Sequence, residues 1–267
     1  MSDLLKNKKG IIFGALDERS IAWKVAEKVH AEGGSFLLSN APIAMRMGKI
    51  NELAEKCGTE VVGADATSME DLANLFDAAT EKYGKLDFVL HSIGMSPNVR
   101  KDKAYTDLNH DWFQKTLDIS ALSFHKVLQT AYGKDAMNDW GSILALSYIA
   151  AQEAYPFYSD MADAKATLES IARSFGYHFG VKNKVRVNTI SQSPTVTSAG
   201  SGISGFDKFF NFAEEMSPLG NADADACADY CAMMFSDMTR YVTMQNLFHD
   251  GGYSTTGITS KVMEKWA

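Results

Sequence analysis

Short apolar runs alternate with longer runs of helical periodicity along almost the whole chain. Several of the short runs, such as residues 88–90 and 143–146, are apolar without alternation, which is typical of strands covered on both faces. No Pro/Gly/Ser-rich linker interrupts the pattern, so we predict one α/β domain over residues 1–267, with a doubly wound parallel sheet of seven strands. The predicted strands are residues 10–14, 35–39, 60–63, 87–93, 142–147, 184–190 and 242–248.

Apolar residues between these strands recur at helical spacing. After Ser20 they occupy positions 21, 22, 25, 26 and 29, which predicts a helix with Ser20 as its N-cap that ends before the glycines at 33 and 34. Further helices are predicted over residues 69–83, 111–132, 157–179 and 223–236. Two stretches without a clear period, 94–108 and 191–218, follow predicted strands at the edge where open α/β sheets bind ligands.

Composition and charge narrow the class of protein. Hydrophobic residues make up 46% and charged residues 22%, which are ordinary globular values, and the net charge of -7 argues against a nucleic acid partner. No apolar run approaches the ~18 residues of a membrane helix, and the N-terminus lacks a secretory signal, so we expect a cytoplasmic protein with no membrane partner. The cysteine and histidine spacings support neither a disulfide framework nor a metal site. Cys227 and Cys231 are interpreted as core residues.

The turn after the first predicted strand is one candidate for cofactor binding. Gly14 ends the strand, and a helix begins with Ser20 and Ile21, so free backbone N–H groups and the positive helix end face any anion bound there. The usual G-x-G-x-x-G pattern is absent. By itself the segment is therefore either a pyrophosphate site or an ordinary βα turn.

Tyr158 and Lys165 form a second candidate motif. Both lie in the predicted helix over residues 157–179, seven positions apart. Seven residues turn an α-helix through ~700° and rise ~10.5 Å, so we expect both side chains on one helical face. A lysine there can hold ribose hydroxyls while a phenol reaches the reacting oxygen. The spacing alone is a weak signal, and its combination with the turn at Gly14 is stronger.

These motifs together resemble a known family. The chain is similar over about residues 8–258 to the short-chain dehydrogenase/reductases, and within them to the enoyl-[acyl-carrier-protein] reductases of bacterial fatty acid synthesis. The resemblance implies a Rossmann-type fold. It rests on Gly14 with Ser20-Ile21-Ala22, on His91-Ser92-Ile93-Gly94, on Ser147-Tyr148, on Tyr158 and Lys165, on Val185-Arg186-Val187-Asn188, on Pro194, and on His249-Asp250-Gly251-Gly252. The ten-residue spacing of Tyr148 and Tyr158 is its most specific feature.

The resemblance implies reduction of a trans-2-enoyl thioester carried by acyl carrier protein. Tyr158 would donate a hydrogen bond to the thioester oxygen, where negative charge develops, and Lys165 would hold the nicotinamide ribose. Tyr148 would line the reacting end of the pocket. General short-chain reductases place a serine thirteen residues before the tyrosine, and here that residue is Ala145.

The resemblance also implies a cofactor-binding set. It assigns to the nicotinamide cofactor the residues Gly14, Ser20, Ile21, Asp65, Ala66, Ser92, Ile93, Gly94, Lys165, Pro194 and Thr197. The second strand is followed by Asn40 rather than by an acidic or a basic residue, while Arg46 and Lys49 lie further on. NADH is therefore favoured, and NADPH stays open.

A substrate pocket and a flap complete the expectation. The pocket would be lined by Met95, Tyr148, Tyr158, Met161, Ala199, Ile203 and Phe206. Residues 195–216 are unusually apolar and correspond to a mobile flap over the acyl chain, although a pair of amphipathic helices packed on the core would explain the same pattern. The family usually forms homotetramers, so we expect one here.

Two alternative functions remain, and several residues depart from the family pattern. A 3-ketoacyl or other carbonyl reductase also uses Tyr and Lys but normally has a serine at the Ala145 position. A nicotinamide-binding protein without turnover would not need a phenol at the hydride site. Asp160 and Asp163 stand where small or apolar residues are expected, and Met95 stands in place of an aromatic residue.

Overall fold

A parallel seven-stranded sheet forms the centre of the protein, and the computed structural model describes residues 3–198, 200 and 205–266. The strands are β1 (Lys9–Phe13), β2 (Ser35–Ser39), β3 (Glu60–Val61), β4 (Leu86–His91), β5 (Met137–Ser147), β6 (Arg186–Gln192) and β7 (Asn246–His249). Their order across the sheet is β3-β2-β1-β4-β5-β6-β7, and every pair of neighbours is parallel. The chain reverses its direction of winding between β1 and β4, so the predicted doubly wound α/β fold is confirmed.

Helices cover both faces of the sheet. They are α1 (Ile21–Ala31), α2 (Pro42–Met47), α3 (Ile50–Cys57), α4 (Met69–Tyr83), α5 (Pro97–Arg100), α6 (His110–Leu117), α7 (Ser123–Gly133), α8 (Asp160–Asn183), α9 (Phe206–Met216), α10 (Ala224–Phe235) and α11 (Ser260–Glu264). One apolar core packs α4, α7 and α8 against the sheet, and a second packs α1, α3 and α10 against its other face. Cys57, Cys227 and Cys231 are buried in this second core, as predicted for the last two.

Tyr158 lies outside the helix in which it was predicted. It lies in a turn before α8 and not inside the helix, because Ser159 has a φ of 47° and α8 begins only at Asp160. A residue with that φ cannot continue a right-handed helix. The prediction that Tyr158 and Lys165 share one helical face is therefore wrong.

Other boundaries move for local reasons. The predicted helix over 111–132 is α6 and α7 joined by a π-helical turn, Asp118–Leu122. Positive φ values at Lys184, Tyr241 and Met244 delay the starts of β6 and β7, and Gly14, with a φ of 94°, stands just beyond the end of β1. β3 ends earlier than predicted, β4 ends at His91, and β5 begins five residues before 142.

The sequence prediction also missed short helices. These are α2, α3, α5 and α11. α9 lies inside the segment predicted as a flap, for which amphipathic helices were the alternative. Within the described part of the chain, no helix is long and apolar enough to cross a membrane.

Candidate active site

Loops that follow four neighbouring strands meet at the carboxyl edge of the sheet. Gly14 follows β1, Ser92 follows β4, Tyr148 follows β5, and Pro194 comes shortly after β6. Since β1 and β4 are neighbours at the reversal point, this edge forms the crevice where doubly wound sheets bind nucleotides.

The β1–α1 turn approaches its neighbour closely. A Cβ on Gly14 would lie 2.0 Å from the Ser92 carbonyl oxygen, so a side chain cannot be accommodated there. Ser20 stands at the N-cap position as predicted, but its hydroxyl does not cap α1: it donates to Asp17 O at 2.7 Å and accepts from Leu16 N at 3.2 Å. The first N–H groups of α1, which begins at Ile21, therefore have no side-chain cap and fit an anionic pyrophosphate.

The loop after β4 reaches the start of α8. A Cβ on Gly94 would lie 3.8 Å from Met161 Cε and 3.9 Å from Lys165 Nζ, so a larger residue would fill the space beside the lysine. Ser120, in the π-helical turn, fixes Met95 by accepting from its N–H at 2.9 Å and donating to its carbonyl at 3.0 Å. Ser92, Ile93 and Gly94 are thereby held next to the two α8 residues.

Lys165 is buried with an 8% exposed surface. Its Nζ donates to the Leu146 carbonyl at 2.6 Å. Burial lowers the pKa of Lys165 to about 8, and attraction to Glu169 opposes that fall. The ammonium retains further donors beyond its bond to Leu146, which is what ribose hydroxyls would require.

Three tyrosines gather around the end of β5. The Tyr148 ring lies 5.0 Å from the Tyr158 ring and 5.3 Å from the Tyr155 ring, measured between centroids. Phe209 on α9 covers this group at 6.0 Å from Tyr148. Burial raises the pKa of all three phenols above the ordinary value, so they keep their protons at neutral pH and can act as hydrogen-bond donors.

The loop after β3 is ordered by its own side chains. Asp65 accepts from the N–H and the hydroxyl of Thr67, at 2.9 and 2.7 Å, and Ala66 beside it is buried. This places both predicted adenine-binding residues at the end of the sheet near β2.

The Asn40 side chain, after β2, binds two backbone groups. Its amide donates to the Ala15 carbonyl at 2.9 Å, and its oxygen accepts from Ala41 N at 2.9 Å. Arg46 is exposed on α2, and Lys49 forms ion pairs with Glu18 and Glu52 at 3.5 and 3.7 Å.

The segment after β6 closes the crevice on its other side. Pro194 is buried, Thr197 Oγ1 accepts from Gly200 N at 2.9 Å, and the Ser198 hydroxyl donates to the Asp17 carboxylate of the β1–α1 turn. Two predicted pocket residues, Ala199 and Ile203, lie outside the described residues. Phe206 is buried at the start of α9, where its ring packs against Phe209 at 5.4 Å.

Sequence reasoning missed the role of Asp160. The residue is fully buried and accepts hydrogen bonds from Ser96 Oγ at 2.6 Å, Asn98 Nδ2 at 2.7 Å and Thr116 Oγ1 at 2.8 Å. Its carboxylate therefore ties the loop that carries Met95 to α6 and to the start of α8. In the sequence, only the polar residues Ser96 and Asn98, shortly after Met95, indicated that this loop needs a polar partner.

Comparison with known proteins identifies the family. The family described as Enoyl-(Acyl carrier protein) reductase matches residues 14–254. The chain belongs to this enoyl reductase family. It is 34% identical to "Enoyl-[acyl-carrier-protein] reductase [NADH] 1" of Rhizobium meliloti, over 96% of this chain and 94% of that protein. It is 30% identical to the NADH-named FabI of Aquifex aeolicus, over 98% and 96% of the two chains.

A solved enoyl reductase structure shares the fold in detail. The FabI-NADH complex from Alistipes finegoldii is 62% identical to this chain, superposes with a TM-score of 0.97, and is covered over 94% of its length by 99% of this chain. The predicted family resemblance is confirmed. Among the described residues, no three His, Cys, Asp or Glu side chains form a cluster that could hold a metal ion.

Proposed function

We propose that this protein reduces trans-2-enoyl thioesters of acyl carrier protein with NADH, in the last step of the fatty acid elongation cycle. The family match over residues 14–254 carries the proposal. The geometry supports it, because Lys165, Met161 and Gly94 lie close together at this edge of the sheet, and the buried Tyr148 packs against the half-buried Tyr158. No acidic or basic residue directly after β2 distinguishes NADH from NADPH. We choose NADH because the relatives are named for it.

The cofactor site would use the residues predicted from the resemblance. Gly14, Ser20 and Ile21 would lie along the pyrophosphate, and Ser92, Ile93 and Gly94 would lie along the central ribose. Asp65 and Ala66 would contact the adenine, and Pro194 and Thr197 the carboxamide side. Lys165 would donate to the nicotinamide ribose. When bound, NADH supplies the hydride for the β-carbon of the enoyl thioester.

Tyr158 acts on the other reactant. Reduction at the β-carbon places negative charge on the thioester oxygen, and the Tyr158 hydroxyl donates a hydrogen bond to that oxygen. Its raised pKa keeps the proton on the phenol while the charge develops. Protonation at the α-carbon then gives the saturated thioester. Tyr148, Met95 and Met161 shape the reacting end of the pocket.

The choice between enoyl and keto substrates rests on Ala145. This residue is fully buried in β5, where it pairs with His91 of β4 and Thr189 of β6. Its methyl side chain has no hydrogen-bond donor. A ketone reductase needs a second donor at that position. An enoyl thioester needs one strong donor at its carbonyl oxygen, which Tyr158 provides.

NADH absorbance is the direct test. The purified protein is given NADH with a medium-chain trans-2-enoyl thioester, and separately with the matching 3-keto thioester. We expect rapid oxidation with the enoyl substrate and almost none with the keto substrate. Faster turnover of the keto substrate would make the protein a carbonyl reductase. Tight NADH binding without turnover of either would make it a nicotinamide-binding protein.

The proposal extends to the flap, the assembly and the cellular location. Residues 195–216 would open and close over the acyl chain, which agrees with the position of α9 above Tyr148. A cytoplasmic homotetramer is the expected form. Tyr177 and Val181, which are exposed on α8, fit one of its two-fold interfaces, and light scattering coupled to gel filtration would measure the assembly.

A further inference from the structure

Glu169 is a buried carboxylate for which the reaction described above has no use. It lies four residues after Lys165 on α8, so both side chains are on the same face of that helix. Only 5% of Glu169 is exposed. One carboxylate oxygen accepts from Ser147 Oγ at 2.6 Å, and the other accepts from Gln152 Nε2 at 3.1 Å. A carboxylate in this position needs such partners, because burial without them is costly.

Its two donors flank a residue of the pocket. Ser147 ends β5 immediately before Tyr148, and Gln152 follows the 3₁₀ turn Ile149–Ala151. Tyr148 stands between these two anchors, with its ring 5.0 Å from that of Tyr158. A rigid helix thus holds both ends of the segment that carries the tyrosine, which is how supporting residues fix the geometry of a site.

Charge gives Glu169 a second link to the site. Two other titratable groups of the site carry no charge that could oppose Glu169. His91, at the end of β4, interacts electrostatically with Lys165, and burial lowers its pKa to about 3, while burial raises the pKa of Tyr158 in the turn before α8. Both are neutral at pH 7. Attraction to Glu169 raises the pKa of Lys165 against the lowering by burial.

We propose that Glu169 is a positioning residue of this site, which fixes the Tyr148 segment through Ser147 and Gln152 and keeps the Lys165 ammonium charged for the nicotinamide ribose. The role of Glu169 toward Tyr148 rests on the proposed function, because it is measured as turnover of the enoyl thioester. The part that concerns Lys165 is read from cofactor binding alone.

The experiment measures NADH affinity against pH by fluorescence titration, together with steady-state turnover. In the wild type, affinity falls as the pH rises through about 8, because Lys165 loses its proton. Glu169→Gln removes the opposing charge, so the midpoint moves down by about one pH unit and kcat falls as well. Ser147→Ala removes one hydrogen bond to Glu169 but keeps the charge of Glu169. The midpoint of the pH titration therefore stays, while kcat falls about threefold or more, which corresponds to the low end of the range for a single hydrogen bond.

Glu153→Gln is the matched control. It neutralises an exposed carboxylate in the same segment and should change neither quantity. An unmoved midpoint in Glu169→Gln would overturn the charge role, and wild-type kcat in Ser147→Ala would overturn the positioning role. If Glu169→Gln does not fold, Glu169→Asp takes its place: it keeps the charge but not the reach, so kcat must fall with the midpoint unmoved, and any other result counts against the proposal. Failure of the wild type to reduce enoyl thioesters would refute the proposed function and leave the binding test intact.

Discussion

Removal of the Asp160 carboxylate should destabilise this protein strongly. In Asp160→Ala, the hydroxyl of Ser96 and one N–H of Asn98 lose their acceptor in a fully buried place. Thr116 can turn its hydroxyl to the Trp112 carbonyl, which lies 2.9 Å away, so it loses little. Each donor left unsatisfied costs roughly 1–3 kcal/mol, and the charge at the start of α8 contributes about 0.3–1 kcal/mol more.

These terms give an expected loss of about 2–7 kcal/mol in the free energy of unfolding. A domain of this size loses roughly 2–4 °C in Tm for each kcal/mol, so Tm should fall by at least about 4 °C. Circular dichroism during heating and urea titration would measure both quantities. Because Ser96 follows Met95 directly, KM for the enoyl thioester should also rise.

Asp163→Ala is the matched control for this effect. Asp163 also lies in the first turn of α8, so it shares the interaction with the helix dipole, but its recorded contact is a weak one of 3.4 Å to the Tyr105 hydroxyl. We expect a loss below about 1 kcal/mol. Equal losses in the two variants would refute the reasoning, because they would assign the stability to the dipole and not to the buried hydrogen bonds.

Further outcomes follow from the site residues. Lys165→Met should raise the NADH dissociation constant at least about tenfold, since hydrogen bonds from a charged donor contribute roughly 1.5–3 kcal/mol; unchanged affinity in a titration would exclude the ribose role. Tyr158→Phe should lower kcat ~10²-fold with NADH affinity retained, and normal turnover would transfer the donor role to Tyr148. Burial lowers the pKa of His91 from 6.5 to about 3, so the unfolded state takes up a proton first as the pH falls. The unfolding free energy should therefore drop by about 2 kcal/mol between pH 6.5 and pH 5, and less in His91→Asn.

Strand positions and the β1–α1 turn could be predicted because local sequence determines them. Apolar runs with helices between them require a parallel sheet, and Gly14 before a helix start marks the reversal point. The start of α8 could not be read in the same way. No proline or glycine at residues 157–159 marks a break, while the positive φ of Ser159 depends on the fold around it. Tyr158 was thus assigned to the wrong element.

The side chains that hold the site in shape were beyond prediction for a different reason. Ser120 fixes Met95 across 25 positions of sequence, Glu169 holds Ser147 across 22, and Asp160 binds Ser96 across 64. Periodicity and motif spacing compare residues a few positions apart, so they cannot detect such pairs. In the sequence, Asp160 stood out only as an acidic residue where a small or apolar one was expected, because no partner for its carboxylate lies nearby in the sequence. Once the fold brings Ser96, Asn98 and Thr116 around it, the same residue accounts for the polar character of the loop after β4, and an apolar residue there would leave the donors of Ser96 and Asn98 unpaired.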